Sequence, residues 1–573
     1  MESSIVPSES KLSPTARILW ILLIAATLYI SYYRNLGVVG LVGPDEPRYA
    51  WIAREMVESH DWVTPRLYGQ PWFEKPVLYY WSAALCFKWF GVSETTARLP
   101  GAFFALMATL ALAWVARRLY GWETARWLLL LLPTTVGMIG FSHAAATDMP
   151  FAATLTVAMV FAATILGLGR EKDSDDSRKT PWLELVFFGS FLGLAVLAKG
   201  PAALILSGGP VLIWAAITKR WRDAFRCLHP LAIASFCLTA LPWYMLCARR
   251  NPDFLRVFII EHNFKRFLTP EFQHVQPFWF YIPVVLIAFI PWTLALLWSA
   301  VIGPLQLRKA GRYPASAIFF IAWALFCVAF FSVSKSKLPG YVLPAIPAIG
   351  LLLAQSIVAS IPRHEKSFQW LLIGGALLAA MLSVVAWKIH PGGLARINSH
   401  ALLAGCWILL LLAFGNFLLA LGKTEGRISF DLSPLCVVPI LVLLLLLPRV
   451  VRSFVPADPS GKVLARELMA NKIPMDQLQV AAMPRGQQFS LNFYLHREIP
   501  AWDPQSPRVG MLLKHSNRCD ENLQLPWICI NEPVPLSLSG WYVFPIDRLE
   551  STQGLGDLGG RDARGALRSG KPR

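Results

Sequence analysis

The apolar positions of this chain fall into long unbroken blocks. They do not alternate as in half-buried strands, and they do not form the narrow stripe of a surface helix. A helix needs about 20 mostly apolar residues to cross a bilayer, and about thirteen blocks reach that length. They are 18–33, 97–116, 124–142, 149–168, 182–198, 200–218, 229–248, 278–302, 313–333, 339–361, 368–387, 401–421 and 432–450. The first is too long for a cleaved leader, and Tyr32, Tyr33 and Arg34 follow it in place of a small-residue cleavage site, so it reads as a retained anchor. Beyond about residue 452 the pattern shortens. Runs such as Leu478–Met483 and Phe489–Leu495 alternate with turn residues and predict a small α/β domain. The expected fold is therefore an all-α polytopic membrane protein with a small C-terminal α/β extracytoplasmic domain. Its expected parts are a cytoplasmic start at 1–17, a membrane domain at 18–451 that includes a loop at 34–96, the tail domain at 452–560, and a Gly- and Arg-rich end at 561–573 expected to be disordered.

Composition agrees. Of 573 residues, 55% are hydrophobic and only 15% charged. Soluble domains carry roughly a quarter charged residues, which excludes an ordinary cytoplasmic enzyme. Disorder is excluded by 34 Phe and 23 Trp. The formal charge of +18 would draw attention to nucleic acid in a soluble chain. Here the basic residues collect in short loops, which is the signature of cytoplasmic loops and not of a nucleic-acid partner. With Lys11 and Arg17 cytoplasmic, clusters such as Arg117/Arg118/Arg126 and Lys219/Arg220/Arg222/Arg226 fall on the same side. An odd number of spans then leaves the tail outside the cytoplasm, where Cys519 and Cys529 could pair. The nine cysteines show no zinc spacing. In the first long loop, Val57–Trp62 and Pro76–Phe90 read as short helices lying along the membrane surface. No fixed-period repeat is present, and no two halves share interrupted helices as many transporters do.

The chemistry is expected from charges that composition does not demand. Asp45, Glu46 and Arg48 follow the first span, and Glu74 and Lys75 precede an aromatic stretch. Asp148 opens the fourth span, and Lys199 interrupts two apolar runs. Glu261, His262, Lys265 and Arg266 lie between spans, as do Lys335 and Lys337. All fall on the non-cytoplasmic face in this topology, where the positive-inside rule opposes Lys and Arg. A charge at bilayer depth costs roughly 2.5–3.5 kcal/mol on insertion scales, so clusters meeting at one level imply a shared site.

Singly each residue has a plain structural reading. Asp45 or Asp148 can cap a helix, Glu74 and Lys75 can pair locally, Lys199 can snorkel, and Tyr49, Tyr79 and Tyr341 can be interface aromatics. Together, the carboxylates Asp45 and Asp148 among the cations Arg48, Lys75, Lys199, Arg266, Lys335 and Lys337 suit a proton acceptor beside an anionic substrate. No Walker loop or dinucleotide fingerprint is present, and a phosphorylated lipid entering from the bilayer fits best.

At these residues the sequence resembles a known family. Pro44-Asp45-Glu46-Pro47-Arg48-Tyr49, Phe73-Glu74-Lys75-Pro76, Thr147-Asp148-Met149-Pro150, Ala198-Lys199-Gly200, Glu261-His262 with Arg266-Phe267, and Ser334-Lys335-Ser336-Lys337-Leu338-Pro339-Gly340-Tyr341-Val342-Leu343-Pro344 occur in order. This series closely resembles the bacterial aminoarabinose transferases and their protein O-mannosyltransferase-like relatives. Phe489-Ser490-Leu491-Asn492-Phe493-Tyr494-Leu495 looks like a strand of that family's extracytoplasmic domain.

The resemblance implies a GT-C glycosyltransferase with thirteen membrane helices, sited in a bacterial inner membrane with its active site on the periplasmic side. The implied partners are a sugar carried on polyprenyl phosphate, typically undecaprenyl phosphate, and a membrane lipid or glycan acceptor. Carried over by motif, Asp45 is the acceptor base or orienter, and Lys75, Lys199 and Arg266 hold phosphate. Glu46, Tyr49, Glu74, Asp148, His262 and Tyr341 line the site. A divalent metal enters only through Glu74 and His262, and no cofactor is otherwise implied. Thr147-Asp148-Met149-Pro150 and Ala198-Lys199-Gly200 depart from the aminoarabinose branch, where Leu-Asp-Pro and Thr-Lys-Gly are frequent. Those departures bear on sugar and acceptor more than on reaction class. A transporter of lipid-linked sugar needs many of the same cations and is the main rival, and a non-catalytic envelope partner is the second.

Overall fold

The computed structural model describes residues 13–169, 181–265, 268, 275–309, 314–360, 374, 437–438, 440–442, 444–445, 459–503, 510–515, 527–529, 534–536 and 541–548. These residues form two compact units. The first comprises Met1–Val38 with Tyr49–Pro456, and the second Val39–Arg48 with Ala457–Arg573. A ten-residue piece of the first loop is thus grouped with the distant tail, which hydropathy gave no reason to expect.

The first unit is helical. Its helices are α1 (Pro14–Tyr32), α2 (Asp45–Ser59, whose first four residues are counted with the second unit), α3 (Leu78–Phe90), α4 (Glu94–Tyr120), α5 (Trp122–Leu131) and α6 (Val136–Ser142). They continue as α7 (Asp148–Ile165), α8 (Trp182–Lys199), α9 (Ala202–Thr218), α10 (Trp221–Phe225) and α11 (Pro230–Arg250). After a π-helical turn at Arg256–Lys265 come α12 (Tyr281–Ala288), α13 (Thr293–Lys309), α14 (Ala315–Val333) and α15 (Ile346–Ser360).

Among the described residues seven helices are long and apolar enough to cross a membrane, or eight if α5 and α6, bent by 64°, form one span. Each of the first ten expected spans has a helical counterpart, with α9 and α12 shorter than a full crossing. The last three, 368–387, 401–421 and 432–450, lie outside the described residues but for isolated positions. Apolar side chains such as Leu22, Leu238 and Leu325 are exposed on the outer helices, the arrangement of a chain solvated by lipid. This is a multi-pass membrane protein.

Local sequence explains the helix ends. Ser93 caps α4 with a reciprocal pair of hydrogen bonds to Thr96, and Arg117 and Arg118 occupy its last turn before Gly121. Gly200 ends α8 at φ 98°, a conformation that side chains resist. Gly189 and Gly193 bring α8 close to α11, because a Cβ at Gly189 would overlap the Ala232 carbonyl. Small residues at such spacing substitute close van der Waals contact for a hydrophobic driving force that lipid does not supply. α7 is apolar on every side and is buried along nearly its whole length.

In the first long loop the helix expected at Pro76–Phe90 is present as α3, and the other expected helix differs. The loop's helices are α2 and α3, joined by the two-stranded hairpin Arg66–Leu67 (β1) and Gln70–Pro71 (β2). Of the helix expected at Val57–Trp62 only residues 57–59 are helical, as the end of α2, which starts twelve residues earlier because Asp45 and Glu46 sit favourably at its amino end.

The second unit carries a mixed sheet in the order β3 (Leu478–Val480), β4 (Gly510–Lys514), β7 (Trp541–Arg548), β5 (Trp527–Cys529), with β6 (Val534–Leu536) also on β7. β3 and β4 are parallel, with Leu478 opposite Met511, and the other pairs are antiparallel. α16 (Lys462–Ala470) and α17 (Arg485–Leu495) close the core through Leu464, Leu468 and Leu491, against Val480, Leu513 and Val543. The expected strand at Phe489–Leu495 is instead part of α17. Its buried positions Ser490, Leu491, Asn492 and Phe493 are consecutive, so the helix is enclosed on most sides, and the αL residue His496 closes it. Cys519 is outside the described residues.

Candidate active site

α7 and α8 are adjacent and antiparallel, so the start of one meets the end of the other. Asp148 lies in the first turn of α7 and Lys199 in the last turn of α8, each charge favourable to its helix dipole. Lys199 Nζ donates to Asp148 Oδ1 at 2.5 Å, with side chains only 13% and 21% exposed. The same ammonium stands 4.8 Å from the centre of the Tyr341 ring and 5.6 Å from that of Phe151. A lysine so placed is held by charge and by two ring faces at once.

Tyr341 reaches this pair from the 3₁₀ turn Pro339–Ala345 that leads into α15. The turn approaches closely because Gly340 has no side chain. A Cβ there would fall 2.6 Å from Asp148 Oδ1. The preceding loop is pinned by Lys337, which is 7% exposed. Lys337 Nζ donates to the Ser334 carbonyl at 2.6 Å and the Gln276 carbonyl at 3.0 Å, and Tyr281 donates to the Leu338 carbonyl at 3.2 Å. Burial, and then the charge of Lys335, hold the Lys337 ammonium below the usual lysine range.

A cavity of about 390 Å³ opens beside Lys199. Lys75, Lys199, His262 and Tyr341 line it together with an apolar wall that includes Phe151 and Phe330. Two lysines in a largely apolar recess suit a ligand with an anionic head and a hydrocarbon body. Ser336 also borders it, and its buried hydroxyl finds no hydrogen-bond partner among the described residues.

In the second unit, Arg48 donates to Asp45 Oδ1 at 2.5 Å across the first turn of α2. The arginine is 7% exposed and the carboxylate 51% exposed. Glu46 accepts from the Val42 backbone at 3.0 Å and so ties the preceding segment to the same turn.

Comparison with known proteins gives this geometry a family. Over residues 17–258 the chain matches the family described as dolichyl-phosphate-mannose-protein mannosyltransferase. It is 32% identical over 477 residues to the undecaprenyl phosphate-alpha-4-amino-4-deoxy-L-arabinose arabinosyl transferase of Edwardsiella ictaluri, covering 80% of this chain and 79% of that one. The chain belongs to this transferase family. A relative of the same description in Sodalis glossinidius is 34% identical over 64% of each chain. The crystal structure of ArnT from Cupriavidus metallidurans bound to undecaprenyl phosphate shares the fold. It has a TM-score of 0.70 at 23% identity, and covers 93% of this chain and 98% of that one. The membrane unit is accordingly the GT-C glycosyltransferase fold.

Within this aminoarabinose transferase fold, the first unit gathers Lys75, Asp148, Lys199, His262 and Tyr341 from five separate motifs. Other expected residues are placed differently. Lys335 is exposed, Lys337 is turned to backbone carbonyls, and Tyr49 is buried against Tyr79 and Tyr80 at 6.1 and 5.8 Å between ring centres. Glu261 accepts from Arg256 at 2.7 Å. Arg266 lies outside the described residues. Among the described residues no group of three or more His, Cys, Asp or Glu could hold a metal ion; of the two metal candidates His262 lines the cavity and Glu74 does not. Sequence reasoning missed Phe151 and the reason for Gly340. Phe151 is one apolar residue in a run of them, and Gly340 stood in a motif without a stated purpose.

Proposed function

We propose that this chain transfers 4-amino-4-deoxy-L-arabinose from undecaprenyl phosphate to a lipid A phosphate, on the periplasmic side of a bacterial inner membrane. The observation that carries the reading is the cavity with Lys75 and Lys199 set in an apolar wall. The names of the relatives support the donor.

The leaving group is the carrier phosphate, and the charge that develops on it in the transition state is what Lys75 and Lys199 stabilise, with Arg266 by motif. A phosphate leaves without a general acid, so the paired acid and base of a glycosidase are not needed. Asp45 takes the proton of the acceptor phosphate's P–OH group as that oxygen attacks the anomeric carbon. The glycosidic bond to the carrier phosphate breaks as the new bond forms, and a single displacement inverts the configuration. Asp148 holds Lys199 in place.

The test is transfer by the purified full chain in detergent, with radiolabelled donor and with lipid A or peptide as acceptor. Label should move to lipid A, and Asp45→Asn should insert normally yet lose turnover by at least ~10²-fold, the scale of a lost general base. Label reaching only peptide would replace the acceptor. Label crossing a vesicle membrane still on its carrier would replace transfer with transport.

A further inference from the structure

The tail motif around Phe489 has no role in the reaction as described, yet α17 holds the segment that leads to Asp45. Ser490 Oγ donates to the Leu41 carbonyl at 2.7 Å, and the Leu41 amide donates to the Tyr494 hydroxyl at 2.9 Å. Both backbone groups of one residue are thus taken by side chains one helical turn apart. Ser490 is itself oriented by the Gly461 amide, which donates to its oxygen at 3.0 Å.

Two close approaches seat the segment further. Gly40 lies against Ser460, and a Cβ at Gly486 would fall 2.8 Å from the Gly43 carbonyl carbon. At the far end the Arg48 guanidinium stands 5.7 Å from the centre of the Phe489 ring while it holds Asp45. Arg485 approaches the same ring at 5.2 Å. Every contact is internal to the second unit.

We propose that α17 is the positioning element for the Asp45–Arg48 end of α2. Ser490 and Tyr494 fix the direction of residues 39–44, Gly486 sets their distance, and Phe489 backs the guanidinium that orients the Asp45 carboxylate. A carboxylate half open to solvent samples several rotamers, and base catalysis needs one of them. These are positioning residues that act through Asp45. The proposal therefore rests on the reading of Asp45 as the acceptor base.

The experiment uses the full chain in detergent, with undecaprenyl-phosphate-linked aminoarabinose and lipid A, and amide hydrogen exchange over residues 39–48 as a second readout. Ser490→Ala and Gly486→Ala should speed exchange in that segment. They should lower kcat about ten- to a hundredfold, the scale of a 1 Å misplacement, while the donor KM stays unchanged. Ser490→Thr, which keeps the hydroxyl, should restore both. Tyr494→Phe removes a single hydroxyl and serves if Ser490→Ala does not accumulate. Its exchange should rise and its kcat fall in the same sense.

Faster exchange with normal kcat would overturn the proposal, as would unchanged exchange. So would a loss confined to donor KM. Undiminished turnover by Asp45→Asn would instead remove the base assignment, and the exchange data would still report whether α17 holds the segment.

Discussion

Lys199 Nζ lies 2.5 Å from Asp148 Oδ1, so the cation that faces the cavity is tied to the start of the most buried helix in the membrane unit. The pair is a device for aiming a charge. Separating a buried charge from its partner costs roughly 3–5 kcal/mol, although the intact pair adds little net stability. What it supplies is a lysine whose rotamer is set before substrate arrives.

Lys199→Ala should cut kcat/KM by at least ~10²-fold, as expected for loss of a group that stabilises transition-state charge. Asp148→Asn should cost less, because the ammonium remains. In the double variant the effects should fall well short of additive, since the two residues act as one unit. Initial rates of labelled-sugar transfer check this, and strict additivity would mean that Asp148 acts independently of Lys199.

Gly340→Ala places a methyl group 2.6 Å from the Asp148 carboxylate. The turn must move away, carrying Tyr341 off the Lys199 ammonium. Overpacking of this kind costs about 1–3 kcal/mol, and a lower melting temperature in detergent together with reduced transfer is expected. A fully stable, fully active alanine variant would show that the close approach has no consequence.

Lys75→Ala removes one of the two lysines from the cavity wall. If that wall receives the carrier phosphate, apparent donor affinity should weaken about tenfold or more, in line with ~1.5–3 kcal/mol for a charged hydrogen bond. Insertion and melting temperature should change little. Titration of donor against transfer rate gives the answer, and an unaltered donor KM would take the phosphate role from this residue.

Lys337 gives a pH dependence with a definite sign. Burial and the neighbouring Lys335 lower its folded-state pKa below the ordinary 10.5. The unfolded chain therefore binds the proton more tightly, and the penalty of charging Lys337 in the fold is complete at neutral pH. It is relieved as pH rises through the lowered pKa toward 10.5. Relative to Lys337→Met, the native chain should gain stability across that window. A melting-temperature difference that stays flat with pH would contradict the assignment.

Much of the membrane unit was legible in the chain. Crossing helices are read from hydropathy because lipid forces every backbone hydrogen bond inside the segment, so a run of apolar residues has one structural outcome. The polar motifs were legible for the complementary reason, since charges at span ends are costly and call for an explanation.

What hydropathy could not supply was pairing. That Asp148 would meet Lys199, 51 residues away, depends on α7 and α8 packing antiparallel. That Leu41 would be held by Ser490, 449 residues away, depends on the tail domain folding around the segment before α2. The run Phe489–Leu495 is short enough to read as a strand, and packing of Leu491, Tyr494 and Leu495 in the tail core decided otherwise. By itself the sequence determined where apolar segments lie and which charges needed a reason, because those follow from the local balance of residue and solvent. Which charges meet, and which loop the tail domain holds, was decided only by tertiary packing, because contacts across the fold have no counterpart in local hydropathy.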